Sequence, residues 1–402
     1  TKKVIMRLFI LSIIIFLTSG SVLAQKVCNT SGYTLPEIKT GSNAPGPEKV
    51  ITIPVVVHVL YNQSKENISD LQILSQIEAL NADFSKKNPD FLKVPAVFAS
   101  RAANTAIQFE LAKTDPMGRA TSGIVRKKTS RIMWSDDNKI KSTATGGSSG
   151  WDSRQYLNVW ICNTVPGLSG YATFPGSDPA MDGIVVRYDN FGTSGAVVAP
   201  YNMGRTMTHE VGHWLGLKHL WGDGPCGDDG IEDTPKQRGS NSGAPVFPRL
   251  TPCNGSQDGE MFMNFMDFTN DEAMGMFTLG QKSVMRAQFE PGGKRAAILN
   301  SRALEQSWNT TMQAAVVSQA DTKLVSVYPN PSHSGKINLQ VSQNTGINGM
   351  HYAIISSGGQ IMKSGHLEST QKEIDIRMLQ PGVYQIRLTD AGTNLFTKFV
   401  VQ

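Results

Sequence analysis

Long apolar runs are almost missing from this 402-residue chain. The one clear run, Leu8 to Leu17, follows Lys2, Lys3 and Arg7 and is too short for a comfortable bilayer span. Val22-Leu23-Ala24 then ends in a small-residue, A-x-A-like site, so residues 1–24 read as a signal peptide. With no later run of spanning length, the sequence predicts a soluble exported protein. A one-sided charge is missing too. The formal net charge is +5, and removing residues 1–24 takes three basic and no acidic groups, leaving 35 basic against 33 acidic. That balance gives no electrostatic case for nucleic acid or an anionic membrane as partner. The basic cluster Arg126-Lys127-Lys128 therefore reads as a solvated loop. Cysteine is sparse: Cys28, Cys162, Cys226 and Cys253 are the full set. An exported chain can oxidise them, although spacing alone does not fix connectivity. Cys226 and Cys253 flank one loop-rich insert and are expected to pair, whereas Cys162, inside the apolar run LNVWIC, reads as a buried small hydrophobe.

Histidine is scarce as well, with seven residues in the chain, yet three of them fall within HEVGHWLGLKH at 209–219. His209 and His213 are four apart, so on a helix they share one face. Two imidazoles so placed can reach one Zn²⁺, with Glu210 beside them as general base. Gly216 permits a left-handed turn that brings the chain back and offers His219 as a third ligand. Three protein ligands leave a fourth position open, the arrangement of a catalytic zinc. At this composition the full pattern arises by chance with a probability on the order of 10⁻⁵, so an amphipathic core helix with incidental histidines explains it poorly.

Around the motif the chain alternates between element types. Residues 25–48, rich in Gly, Pro, Ser and Thr, read as an extended segment. ITIPVVVHVLY, from Ile51, is a continuous β-branched run of the kind buried on both faces of a sheet. ISDLQILSQIEALNADF follows with helical spacing and Ser69 as N-cap. AIQFELA (106–112), YLNVWIC (156–162), GYATFP and DGIVVRY (182–188) are strand candidates, and the order of elements indicates an α/β architecture with the zinc at its edge. Residues 221–260 are loop-rich enough to need a staple, a disulfide or bound ions. LGQKSVMRAQFE (279–290) reads as the last helix, ended near Pro291-Gly292-Gly293. From Leu324, the segments KINLQVS, HYAIISS, KEIDIRM, GVYQIRL and LFTKFVV read as short alternating strands of a small β-sandwich.

A second motif, MFMNFMDFTND at 261–271, places a methionine turn after the third histidine. Together with IPVVVHVLY, LNVWICN, GYATFP, DGIVV and the DTP at 233–235, it makes residues from about 50 to 290 resemble the metzincin metalloproteases, and within them the pappalysin family. The resemblance implies an α/β metzincin-type zincin domain, a twisted mixed sheet with active-site and backing helices, followed by the all-β sandwich. The expected organisation is a signal peptide (1–24), a prosegment (25–48), a catalytic domain (49–298), a linker (299–322) and a β-sandwich (323–402). The resemblance further implies that His209, His213 and His219 bind zinc and that Glu210 takes a proton from the attacking water and passes it to the leaving amine. Met266 would form an apolar floor under the ligands, and GYATFP would pair with an extended substrate, an ordinary sheet strand being the alternative. One departure stands out. Where such enzymes often carry a tyrosine two residues after the turn methionine, this chain has Phe268, which lacks a hydroxyl to steady the transition state.

The resemblance implies structural calcium in GDGPCGDDGIEDTP, with Asp229, Asp233 and Thr234 as ligands; a solvated acidic turn is the alternative. Asp271 and Glu272 would line the pocket for the residue after the scissile bond and select Lys or Arg there, unless they form only an exposed acidic turn. Cys28, in KVCNTSG, resembles a prosegment cysteine whose thiolate fills the open zinc position and keeps a zymogen latent; Asn29 replaces the usual following glycine, and a Cys28–Cys162 disulfide stays open. VYPNPS (327–332), LQPGVYQIRL (379–388) and the terminal TKFVVQ resemble the sorting domains of the type IX secretion system of Bacteroidetes, which would be the partner for export through the periplasm to the cell surface or beyond. A ligand-binding sandwich is the rival, though no aromatic-lined face supports it. The function expected is that of a secreted zinc endopeptidase acting on proteins or peptides. A non-catalytic adhesin on a zincin scaffold and a zinc amidase or de-esterifying enzyme are the alternatives.

Overall fold

The computed structural model describes residues 27–28, 48–255, 257–305, 325–341, 350–356, 361–367, 371–390 and 393–402. The expected signal peptide, most of the prosegment, residues 306–322 of the linker and the first two residues of the expected sandwich lie outside the described residues.

The β-branched run forms β2 (Ile51–Tyr61), in which every residue between its two ends except Thr52 is buried. It is the hub of a seven-stranded mixed sheet. β3 (Ile107–Leu111) pairs in parallel with its first half and β4 (Ile124–Lys128) with its second. On its other side lie β5 (Leu157–Cys162) and then β7 (Ile184–Arg187), both parallel. β6 (Leu168–Ala172) runs antiparallel to β7, and the short β1 (Val27–Cys28) lies parallel to β6 at the rim. Alternate side chains of each strand face opposite sides. Ile53, Val55, Val57 and Val59 therefore pack with the helices, while Leu60, Trp160, Cys162, Tyr171 and Val185 form a second core on the far face. Burial on both faces is why these strands read as unbroken apolar runs.

Helix α1 (Asp70–Phe84) begins where expected, with Ser69 accepting from Gln72 N at 3.2 Å. It packs against the sheet beside α3 (Arg205–Trp214). The one-turn α2 (Ala96–Ala99) and the longer α4 (Leu279–Ala287) complete the helices. Thr278 and Gln281 cap α4 reciprocally, an arrangement that satisfies two of the free N–H groups at a helix start. Residues 221–260 contain no helix or strand among the described residues, and Cys226 is joined to Cys253 across that insert. Cys28 and Cys162 are both buried and are not joined to each other.

Two expectations change. The basic cluster at 126–128 is not a solvated loop: it is part of β4, which pairs with β2 alone. Its polarity suits an edge strand, where charge blunts unwanted pairing, and two of its cations have partners: Arg126 meets Asp70, and Lys127 donates to the Gly147 carbonyl. The chain also stays attached beyond residue 298. Ala303 is fully buried against Val56 and Tyr156, and its carbonyl accepts from Lys113 N and Thr114 N at 2.8 and 3.0 Å.

The C-terminal strands form two sheets. One has the order β11 (Ile361–His366), β10 (His351–Ser356), β13 (Gly382–Asp390), β14 (Thr393–Val401); the other has β12 (Gln371–Asp375), β9 (Lys336–Val341), β8 (Val325–Tyr328). Ile337, Leu339, Ile354, Ile374, Ile386, Leu388 and Phe399 build their shared core, which makes this a small all-β sandwich. β8 and β11 lie outside the segments anticipated from alternation. No helix of the described residues is long and apolar enough to cross a membrane.

Candidate active site

Helix α3 starts after Gly204, in the left-handed region at φ +77°. Asp271 supplies a carboxylate there, accepting from Met203 N at 2.8 Å and Arg205 N at 3.3 Å, which favours a helix N-terminus through its exposed N–H groups and dipole. All ten residues of the helix are buried. The helix ends as the sequence anticipates. Gly216 has φ +95°, Gly216 N donates to the His213 carbonyl at 2.8 Å and Leu217 N to the Gly212 carbonyl at 2.9 Å. These are the paired bonds of a glycine-terminated helix, and they turn the chain so that His219 returns to the helix.

The three imidazoles converge. His213 Nε2 lies 3.0 Å from His209 Nε2 and 3.1 Å from His219 Nε2. The opposite nitrogens determine the protonation. His209 Nδ1 lies 2.7 Å from the Phe265 carbonyl, His213 Nδ1 2.8 Å from the Leu217 carbonyl, and His219 Nδ1 2.6 Å from Asp223 Oδ1. Carbonyls and carboxylates accept only, so each Nδ1 donates and each Nε2 is turned toward the common centre. A cation placed among the three Nε2 atoms would be within reach of all of them. The donor set and its spacing fit one Zn²⁺.

A fourth group points at the same place. β1 aligns Cys28 with Gly170 of β6, and Cys28 Sγ and the three imidazoles offer ligand atoms all within 4.8 Å of one another. The thiol also donates to Glu210 Oε2 at 3.2 Å. Glu210 is fully buried. Its carboxylate lies against Gly170, where an added Cβ would sit 3.1 Å from Oε1 and 2.8 Å from the Val185 carbonyl. Glycine is thus required in the rim strand by the Val185 carbonyl of β7, with the Glu210 carboxylate close beside it.

The methionine turn lies beneath. Met266 is fully buried, and a Cβ on Gly212 would come within 2.4 Å of its sulfur, so the helix needs a glycine there to admit it. Asn264 and Gln281 exchange amide hydrogen bonds of 2.8 and 3.0 Å, tying the turn to α4. Asp267 accepts from Asn241, Gln237 and Phe268, and burial pushes its carboxyl up to about 6. Phe268 packs against His209, His219 and Trp221 with ring centroids 4.9–5.5 Å away, and Trp221 stacks on His219 at 4.5 Å.

The remaining expected residues are more dispersed. Asp271 is buried at the start of α3, whereas Glu272 is exposed. Asp233 caps α4, accepting from Thr278 Oγ1 and Gly280 N. Asp229 is buried and accepts from Thr234 Oγ1 at 2.7 Å and Ile231 N at 3.0 Å through Oδ1, while its Oδ2 has no hydrogen-bond partner. Burial pushes this carboxyl up to about 7. Asp223, Asn264, Asp267, Gly170 and Gly212 are functional neighbours that the motifs did not announce. Asp223 alone carried a local signal, a carboxylate four residues after a candidate ligand.

Comparison with known proteins gives consistent relatives. The family described as pregnancy-associated plasma protein-A, a peptidase family, matches residues 142–290, and the secretion system C-terminal sorting domain matches residues 326–402. An extracellular metalloprotease of Arthroderma otae is 31% identical over 66% of this chain and 91% of its own length; one from Verticillium alfalfae is 29% identical over 67% and 92%. The structure of mature mirolysin from Tannerella forsythia, in complex with a cleaved peptide, is 48% identical, covers 63% of this chain and 97% of its own, and superposes with a TM-score of 0.62.

Proposed function

Because this chain belongs to the pappalysin family of metalloproteases and carries a type IX sorting domain, we propose that it is a secreted endopeptidase in which His209, His213 and His219 hold zinc and Glu210 is the general base. The family and the sorting domain make it a secreted or cell-surface metalloendopeptidase, and the residue roles are our reading. The observation that carries it is the convergence of three Nε2 atoms, each turned inward by a hydrogen bond on the far side of its ring.

Zinc, when bound, supplies Lewis acidity toward the scissile carbonyl and the attacking water. Glu210 provides the proton path: its buried carboxylate accepts the proton of the attacking water and hands it to the leaving amine nitrogen. β6 and the GYATFP segment hold the substrate extended by backbone pairing; the edge already pairs with β1, which supports this use. Phe268 offers no hydroxyl to the transition state and instead walls the imidazoles against water.

Asp271 is read as the charge that selects Lys or Arg after the scissile bond, with exposed Glu272 at the margin. Support comes from its buried carboxylate beside the active-site helix. Cys28 is read as the latency residue, supported by its sulfur among the imidazoles. Calcium on Asp229, with Asp233 and Thr234 near it, is supported by the unpartnered buried Oδ2. Residues 1–24 and 25–48 are read as signal peptide and prosegment, and the sorting domain as the part that engages the type IX secretion machinery.

The test is hydrolysis of denatured protein by matured enzyme and by Glu210→Ala, with the fragments sequenced by mass spectrometry. The expected result is cleavage by the first only, before Lys or Arg. Equal cleavage by both overturns the role of Glu210, and wild-type cleavage with no enrichment of basic residues overturns the role of Asp271.

A further inference from the structure

Behind the active site, one buried ion pair joins three parts of the chain that are distant in sequence. Asp182 and Arg295 are about 4% and 5% exposed at their side chains. They meet through two parallel contacts, one of them Arg295 Nη2 to Asp182 Oδ1 at 2.9 Å. Asp182 Oδ1 also accepts from Thr173 Oγ1 at 2.8 Å, and that hydroxyl accepts from Gly183 N at 2.8 Å. Thr173 directly follows β6. Arg295 in turn donates from Nε to the carbonyl of Trp214, the last residue of α3, and lies 4.0 Å above the Trp214 ring. Lys141 steadies the same turn from the far side of the sheet, donating to the Met181 carbonyl at 2.7 Å.

We propose that Asp182 and Arg295 are positioning residues that fix the register of the rim strand against the Glu210 helix, and so set how an extended peptide is presented to the carboxylate. The inference rests on the reading of β6 as the substrate-pairing edge. Its physical basis is the tight approach of Gly170 to Glu210. Strand and helix meet there through the Glu210 side chain, set against a glycine that offers no side chain of its own to act as a spacer. Their separation must be set elsewhere, and the only charged link that reaches from the end of the rim to the end of the helix among the described hydrogen bonds is this pair. A bidentate guanidinium–carboxylate contact fixes angle as well as distance. Misplacing a reacting group by 1 Å can cost roughly 10²-fold in rate.

Removing one partner would strand a buried charge and can unfold the domain, so the informative variant is the double substitution Asp182→Leu with Arg295→Met, which removes both charges while keeping bulk. The matured full enzyme is assayed on peptides of increasing length around one cleavage site, with KM and kcat measured separately and zinc content checked in parallel. In the wild type, kcat/KM should climb as residues that lie along β6 are added. In the double variant zinc content should stay unchanged, while the climb is lost and kcat/KM on the longest peptide falls by about tenfold or more. Arg295→Lys, which keeps the charge without the fork, should fall between the two. A double variant that climbs as steeply as the wild type overturns the positioning role. A wild type with no climb at all overturns the substrate-edge reading, and this proposal with it.

Discussion

Between Ile51 and Glu305 the fold buries Glu66, Asp83, Asp90, Asp115, Lys141, Asp182, Arg205, Glu210, Asp229, Glu260, Asp267, Asp271 and Arg295; between Val325 and Gln402 the described residues bury Ser332 alone among non-aromatic polar side chains. Burying a charge is costly unless it is paired or hydrogen-bonded. The N-terminal unit bears that cost repeatedly, and several of the burials, Asp83, Arg205, Glu210 and Asp271 among them, lie on or against α3. The C-terminal unit avoids it and is held by an apolar core in which Ile386, Leu388 and Phe399 dominate. One unit therefore holds buried charges around its candidate site, and the other is held together by apolar packing.

The sharpest way to break that contrast is to alter one buried group in each unit. Glu210→Ala should lower kcat by about 10²–10⁴-fold in a peptide-hydrolysis assay. Ile386→Ala, in the sandwich, should cost about 2–5 kcal/mol of that unit's stability and leave kcat unchanged within error. A tail substitution that slows cleavage would end the division of labour. A smaller effect tests the outer ring of the site. Asp223→Asn keeps the size of the residue that orients His219 but removes its charge, and should weaken zinc affinity by about 10–100-fold, read by competition with a chelator.

The smallest expected effect is on pH dependence. Burial pushes the Asp83 carboxyl up to about 7, against which Arg205 and Thr208 act. Asp90 and Asp271 also face it. A carboxyl raised in the folded state binds more protons folded than unfolded, so its contribution to stability falls as pH rises from about 4 to 7. Thermal melts should show Asp83→Asn losing less stability than wild type across that window. Parallel curves would place the pH dependence elsewhere.

Much of this was legible because local rules suffice. The spacing of His209 and His213, the left-handed Gly216 and the cap at Ser69 follow from backbone geometry within a few residues. β2 is readable because burial on both faces leaves a nearly unbroken apolar run, with His58 buried among hydrogen bonds to Ser148 and Asn158. What escaped notice depends on contacts across the chain. Arg295 meets Asp182 across more than a hundred residues, and Asn264 reads as a turn residue until Gln281 is set against it. β4 was hidden because an edge strand carries the charges of a loop. Gly170 and Gly212 signal nothing in sequence; their reasons are the Val185 carbonyl and the Met266 sulfur that other elements press against them.

The central claim is that three imidazoles define the metal site and a fourth position is exchanged between the prosegment sulfur and the reaction. X-ray absorption at the zinc edge, on the zinc-loaded full chain and on the matured enzyme, tests it most directly. The full chain should show three nitrogen neighbours at about 2.0–2.1 Å and one sulfur at about 2.3 Å; maturation should replace the sulfur by oxygen and leave the nitrogens as they were. Two or more sulfurs, fewer than three nitrogens, or a sulfur that persists in the active enzyme would contradict the account.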